Sequence, residues 1–272
     1  MSRPNTRLLF SFLAALLAVS SAGPARAQEA GKESPPGAAS NEDANNPLAK
    51  IQAFNVQDYF VPSLSESGDQ TANTFWLRYA QPIGKVLIRA SLPLSRVPTG
   101  DGTSASGLGD FNLFGTYLFD VGNRKVSFGV GPQVTAPTAT NDRTGTGKWQ
   151  AGLATVYFNA ESPAVQWGGL VTWQTDFAGP SSRPGTNVLA VQPFFFVQMG
   201  KGLYARSAGI MAFNLEDGSY NVPVGVGIGQ VIPTASAVFN VFIEPQFTVL
   251  SHGPGQPELQ IFVGLNTQFA KK

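Results

Sequence analysis

The sequence predicts an all-β fold: a closed, antiparallel, up-and-down transmembrane β-barrel of about twelve strands. Three observations support this prediction, namely alternating side-chain polarity, long strand segments, and connections that alternate between short and long. Strand length matters because a transmembrane strand needs about 9–11 residues, whereas strands of globular proteins average about 5–6. Only 13% of the 272 residues are charged, well below the usual fraction of roughly 25%.

The N-terminal segment predicts secretion. Arg3 and Arg7 precede the apolar run 8–19, and the run is followed by the small-residue cleavage pattern Ala25-Arg26-Ala27. These features are typical of a signal peptide, here residues 1–27. A membrane anchor is the alternative, but the apolar run is shorter than the roughly 20 residues that a spanning helix needs.

The next segment, residues 28–50, is rich in Ala, Gly, Pro, Glu, Ser and Asn and has almost no large apolar side chain. Such a composition buries too little surface to offset the entropy of ordering. We therefore expect a disordered periplasmic leader over 28–50. The barrel domain is predicted over residues 51–272.

Side chains alternate in polarity from residue 51 onward. Between 126 and 135, Val, Phe and Pro alternate with Ser, Gly, Gln and Thr, and similar patterns occupy 220–229 and 238–249. This alternation predicts strands with one apolar face and one polar face. The predicted strands lie near 51–61, 71–81, 85–95, 107–120, 125–137, 149–160, 164–177, 187–199, 203–214, 220–231, 236–250 and 257–269.

The predicted connections alternate in length along the chain. Tight turns are expected at 82–84, 120–124, 161–163, 200–202 and 233–235, and longer polar loops at 62–70, 96–106, 138–148, 179–186, 216–219 and 251–256. Outer-membrane barrels have short periplasmic turns and longer external loops. An even number of strands then places both termini in the periplasm.

The apolar rows are predicted to face lipid. The proposed rows contain no charge, which fits the cost of about 2–4 kcal/mol for a basic side chain at the bilayer midplane. The last strand carries an apolar row that ends at Phe269, and this row is similar to the C-terminal signal recognised by the barrel-assembly machinery. Thr267 and the three residues after Phe269 depart from that signal.

The polar rows are predicted to face the lumen. The candidate lumen-lining residues are Trp76, Arg78, Arg89, Asp110, Asn112, Phe114, Asp176, Gln192, Phe194, Phe196, Arg206 and Glu244. Two outcomes stay open, because the charges either pair across the lumen and close it or line a path. A mixed polar and aromatic lining would suit small aromatic or hydrophobic solutes. Lys148 and Trp149 are expected to anchor a loop at the membrane interface.

The composition excludes several kinds of chemistry. Without cysteine there are no disulfides and no thiolate ligands, and one histidine leaves little room for a metal site. No cofactor or metal is therefore predicted. The net charge of +1 gives no reason to expect a nucleic-acid partner. The adjacent pair Ser251-His252 keeps a hydrolase as an alternative.

Several segments in combination resemble a known family. They are residues 106–112, 131–140, 145–149, 192–194 and 222–225. In this order and spacing they resemble the bacterial outer-membrane proteins named after a MetA pathway of phenol degradation, whose members are often labelled neuromedin U. The resemblance covers nearly all of the chain after about residue 50. It implies a Gram-negative outer-membrane β-barrel and a link to the uptake of phenolic or other hydrophobic compounds.

The function predicted from the sequence is a passive channel or transporter, not an enzyme. It would take up small aromatic or hydrophobic solutes across the outer membrane of a Gram-negative bacterium. Three alternatives stay open: a closed structural or interaction barrel without transport, an outer-membrane hydrolase, and a soluble periplasmic β-sandwich.

Overall fold

The computed structural model describes residues 43–66 and 70–269. The predicted signal peptide and the leader residues 28–42 lie outside the described residues. The structure confirms the predicted fold, because twelve antiparallel strands form one closed sheet. The strands are β1 (Ala53–Leu64), β2 (Ala72–Ile83), β3 (Val86–Pro98), β4 (Ser104–Leu108 and Phe111–Phe119), β5 (Val126–Ala136), β6 (Trp149–Asn159), β7 (Val165–Ala178), β8 (Asn187–Gly200), β9 (Leu203–Ser207 and Met211–Asn214), β10 (Tyr220–Gly225 and Gly227–Pro233), β11 (Ala237–His252) and β12 (Pro257–Phe269).

The barrel closes through the first and last strands. Each strand pairs with its neighbour in sequence, and β1 pairs with β12, where Ala53 lies opposite Gln268. Closure gives the backbone N–H and C=O groups of β1 and β12 hydrogen-bond partners. A sheet in lipid requires this because no water is present to pair with its edges. We call the end with the short connections the turn end and the opposite end the loop end. Among the described residues, no helix is long and apolar enough to cross a membrane.

The side chains follow the alternation that the sequence predicts. Along β5, Gly129, Gln133 and Thr135 are buried toward the interior, whereas Phe128 and Val134 lie on the outer face. The outer surface carries many large apolar side chains, including Leu153, Trp167, Trp173, Phe177, Phe195, Ile228 and Phe247. An apolar outer face with a polar inner row is the arrangement of a transmembrane barrel.

Two outward-facing strand positions, Asp58 of β1 and Arg96 of β3, differ from the expectation that the lipid-facing rows contain no charge. Asp58 lies opposite Phe75 and shares its row with Phe54, so its carboxylate is on the outer face of β1. Asn73 of β2 donates a hydrogen bond of 2.7 Å to this carboxylate. The expectation was wrong here because the alternation of Phe54 and Val56 with polar inward residues already assigns Asp58 to the outer row.

The end of the predicted disordered leader is ordered. Asp43–Asn45 form a 3-10 turn, and Ala44 and Leu48 are buried inside the turn end of the barrel. The expectation of disorder is therefore wrong for residues 43–50. Composition suggested disorder because this segment has few apolar groups of its own, but the barrel interior supplies the partners that the segment lacks.

The 43–48 segment contacts several strands at once. Asn240 of β11 donates a 3.0 Å hydrogen bond to the carbonyl oxygen of Ala44, and Asn46 donates one of 3.1 Å to Ser127 of β5. The Leu48 side chain packs in an apolar cluster with residues from β3, β4 and β6, namely Leu87, Leu118 and Val156. The segment thus fills part of the lumen at the turn end.

Two adjacent glycines of β7 give a direct test of the inward and outward assignment. A methyl group on Gly168 would overlap the carbonyl oxygen of Tyr157 and lie 2.7 Å from the Phe194 ring, whereas one on Gly169 would meet only ordinary contacts. We expect Gly168→Ala to lower the free energy of unfolding by about 1–3 kcal/mol through overpacking. Gly169→Ala should stay within about 0.5 kcal/mol of the wild type. Urea unfolding of the folded barrel, followed by tryptophan fluorescence, measures both, and equal effects would contradict the assignment.

Candidate functional site

A cavity of about 620 Å³ occupies the loop half of the barrel. Inward-facing side chains of β2 to β8 line it, together with loop residues 143–146. Seven of the twelve sequence-predicted lining residues meet at this cavity: Trp76, Arg78, Arg89, Asp110, Asn112, Phe114 and Gln192. The others lie elsewhere in the interior, Asp176 on β7 toward the loop end and Phe194, Phe196, Arg206 and Glu244 toward the turn end.

The sequence interpretation did not name several further lining residues. Ser91 and Thr172 lie on the same inward rows as predicted lumen-lining residues of their strands. Their even spacing from those residues was therefore enough to identify them. Ile210 lies in the break of β9, and the loop residues fold inward, which alternation cannot reveal.

A folded loop bounds the loop side of the cavity. The Asp110 carboxylate accepts hydrogen bonds from the backbone N–H of Thr146 at 2.7 Å and from its hydroxyl at 2.9 Å. Arg183, from the next loop, donates to the carbonyl oxygens of Gly145 and Asp142, each at 2.6 Å. Together these bonds hold the 137–148 loop over the lumen. The bonds to Asp110 also engage one of the three carboxylates that the sequence predicts on the inward face.

Two arginines of the cavity lie against aromatic rings. The guanidinium carbon of Arg78 is 4.5 Å from the Trp76 ring centroid, and that of Arg89 is 4.2 Å from the Phe114 ring centroid. Such cation–π contacts fix the guanidinium groups while leaving N–H donors at their edges. Arg78 also donates a hydrogen bond to the side-chain oxygen of Gln57.

Among the described residues, one pair of the predicted inward charges meets, along the wall and not across the lumen, because Gly227 of β10 lies between Arg206 and Glu244 in the sheet. Arg206 Nε lies 2.6 Å from Glu244 Oε2, and both side chains are almost fully buried. Asp176 pairs instead with Lys148, at 2.9 Å. Within the described ranges these are the two ion pairs, so Arg78 and Arg89 have no carboxylate partner there.

The turn half of the lumen is packed. The guanidinium of Arg206 lies near three aromatic rings and pairs with Glu244; its distances to the ring centroids of Phe242, Phe262 and Phe196 are 3.6, 5.2 and 5.7 Å. An apolar cluster next to it includes Ala44 and the large side chains Phe158, Phe194, Phe196, Tyr204, Val231 and Val238. Aromatic and aliphatic side chains therefore fill this part of the lumen. A separate cavity of about 720 Å³ lies at the turn end, between the 43–51 segment and the 118–128 turn.

The two predicted interface anchors face opposite sides of the wall. Trp149 is on the outer face of β6 and is substantially exposed. Lys148 is buried, and its ammonium pairs with Asp176 inside the barrel. The expectation for Lys148 was wrong because it shares the inward parity of Gln150, which places its side chain toward the lumen.

Neither the hydrolase alternative nor a metal site gains support from the geometry. Ser251 and His252 are consecutive residues of the extended strand β11, so their side chains point in opposite directions. The His252 ring stacks on Tyr220, with centroids 5.9 Å apart. Within residues 43–66 and 70–269, no three His, Asp or Glu residues cluster in a way that could hold a metal ion.

The closed wall, the apolar outer face and the polar cavity together define a transmembrane β-barrel. Comparison with solved structures finds the same fold in an outer membrane channel from Pseudomonas putida F1, with a TM-score of 0.59 and 16% identity over 82% of this chain and 97% of that chain. The NanC porin is also similar, with a TM-score of 0.51 and 9% identity over 80% of this chain and 100% of that chain. At these identities the likeness is one of fold.

Sequence comparison adds no family assignment. No family model matches the chain, and no curated protein matches it. The phenol-degradation family named above therefore stays a prediction from the quoted segments.

Proposed function

We propose that this chain is an outer-membrane β-barrel of a Gram-negative bacterium that passively admits small solutes. The observation that carries the proposal is the cavity of about 620 Å³ in the loop half, lined by both charged and aromatic side chains. A barrel with only a structural role has no need for an open volume of this chemistry. The fold shared with an outer membrane channel from Pseudomonas putida F1 supports the same function.

The orientation belongs to the proposal. The described chain begins and ends at the turn end, where the connections are short, and the longer connections such as 137–148 lie at the loop end. By the usual asymmetry of such barrels, the turn end and both termini face the periplasm. The apolar row that ends at Phe269 supports insertion by the barrel-assembly machinery.

The solutes that we propose are small aromatic or hydrophobic compounds, in line with the family resemblance. The cavity lining includes the rings of Trp76 and Phe114 and the aliphatic groups of Pro93, Leu170 and Ile210. These surfaces favour apolar solutes, while the polar members keep the cavity wet. A volume of this size lies within the range of about 300–1,000 Å³ typical of small-molecule sites.

A closed barrel without transport is the second candidate function. The packed turn half and the buried 43–48 segment favour it. The two candidates differ in whether solute and ions can pass between the cavity and the turn end.

Planar-bilayer recordings of the purified, folded barrel separate the two candidates. We expect a small, steady conductance. Ser91→Trp should reduce it, because Ser91 faces the cavity, whereas Leu92→Trp on the outer face of the same strand should leave it unchanged. A barrel that is electrically silent and passes no sugar in liposome swelling assays would overturn the channel proposal. Equal conductance of the two variants would mean that the path avoids this cavity.

A further inference from the structure

Arg78 and Arg89 lie side by side on the cavity wall. In the β2–β3 register Arg78 is opposite Ser91 and Ala80 is opposite Arg89, so the two arginines are diagonal neighbours on the inward face. Diagonal neighbours in an antiparallel pair are about 7–8 Å apart, within reach of long side chains. Both guanidinium groups can therefore approach the same ligand group.

The cavity carries an excess of positive charge. Its lining contains three arginines, Arg78, Arg89 and Arg143, but a single carboxylate, that of Asp110. That carboxylate is occupied by hydrogen bonds from loop backbone and hydroxyl groups. A poorly solvated guanidinium without a counter-charge is unfavourable, and an anionic ligand would remove this cost.

Several polar side chains of the lining have partners, although the side-chain oxygen of Gln150 has none within the described residues, and Arg78 donates through one terminal nitrogen to Gln57. Asn112 donates to Thr135 at 2.9 Å, and Gln192 donates to the carbonyl oxygen of Ala208 at 3.0 Å. By contrast, the Nε atoms of Arg78 and Arg89 are buried and have no hydrogen-bond partner within the described part of the chain. Unsatisfied buried donors at both arginines indicate a place where a ligand supplies the acceptor.

We propose that Arg78 and Arg89 form a binding site for the carboxylate of a small aromatic acid inside this barrel. A carboxylate offers two oxygens that match the planar guanidinium fork, and such charge-assisted pairs are the strong ones. The ring of the acid would lie against Trp76, Phe114 and Leu170 of the same cavity. This proposal rests on the proposed channel function, because it takes the cavity as the mouth of the solute path. It narrows the class of solutes to aromatic anions.

Equilibrium dialysis with radiolabelled benzoate tests the site on the folded barrel in a non-ionic detergent. We expect Arg78→Gln and Arg89→Gln each to weaken benzoate binding about tenfold, the loss expected for one charge-assisted hydrogen bond. Arg96→Gln is the matched control, because it removes the same charge from the exposed, outward side of β3. Benzyl alcohol, which has the ring without the charge, should bind weakly and equally to all variants, and acetate should compete poorly.

Some outcomes would overturn the site. Benzoate binding that is unchanged in Arg89→Gln, or lost equally in Arg96→Gln, would contradict the assignment to these arginines. If acetate competes as well as unlabelled benzoate, the proposal that the site recognises the aromatic ring is contradicted. Dialysis requires no permeation, so a conducting barrel that does not bind benzoate would refute only this site. A silent barrel that binds benzoate would refute only the channel.

Discussion

Glu244→Ala is expected to lower the free energy of unfolding of the barrel by about 3–5 kcal/mol, the usual cost of removing one partner of a buried ion pair. Glu244 is 0% exposed, and its carboxylate pairs with Arg206 at 2.6 Å. It also accepts a 2.8 Å hydrogen bond from the backbone of Ala208 and a 2.9 Å bond from the side chain of Gln246. Without the carboxylate, the Arg206 charge would remain among aromatic rings with no counter-charge.

Urea unfolding followed by tryptophan fluorescence measures this loss. The double variant Arg206→Met/Glu244→Leu is the control, because it removes both charges and keeps the volume apolar. We expect it to recover most of the stability, as buried ion pairs can often be replaced by packed apolar groups. If Glu244→Ala unfolds at the wild-type urea concentration, the pair does not hold the turn half together. If the double variant is as unstable as the single one, the loss comes from packing and not from the unpaired charge.

Leu48→Asp is expected to raise the single-channel conductance several-fold. Leu48 is 2% exposed, packed in an apolar cluster with Leu87, Leu118 and Val156. A carboxylate there has no partner in that cluster, and placing a charge in such a site is strongly unfavourable. The 43–48 segment should then leave the lumen and widen the path at the turn end.

Planar-bilayer recordings give the readout, with Lys50→Asp as the matched control. Lys50 is exposed at the same end of the barrel, so the same new carboxylate there should not displace the segment. Conductance of Leu48→Asp equal to that of the wild type would show that the segment does not limit the path. A rise in both variants would indicate a general effect of charge at the mouth.

The positions of the strands, and which of their side chains face inward or outward, could be predicted from the sequence. The period of two in residues such as 126–135 reappears as the buried and outer rows of β5. The connections also fall where Gly, Pro and polar residues cluster. The failures have different causes: the composition of residues 43–50 does not show the barrel contacts that order them, whereas the outward position of Asp58 follows from the row that it shares with Phe54.

The contacts among side chains and loops inside the lumen could not be predicted from the sequence. Parity placed Arg78, Arg206 and Glu244 on the inward face, but it did not say which charges would meet. Arg206 and Glu244 are 38 positions apart and pair because of the register and tilt of β9, β10 and β11. The loop that occupies Asp110 is likewise placed by tertiary contacts, from Arg183 in another loop.

By itself, the sequence determined the wall of this protein: twelve long strands, an apolar outer row and a polar inner row. These follow from local alternation, because successive side chains of a strand point to opposite faces. Only the tertiary structure decided that Leu48 and its neighbours fill the turn end, that Glu244 neutralises Arg206, and that Arg78 and Arg89 face an open cavity. These outcomes depend on strands and loops that are distant in sequence and brought together only by closure of the barrel, so no local pattern records them.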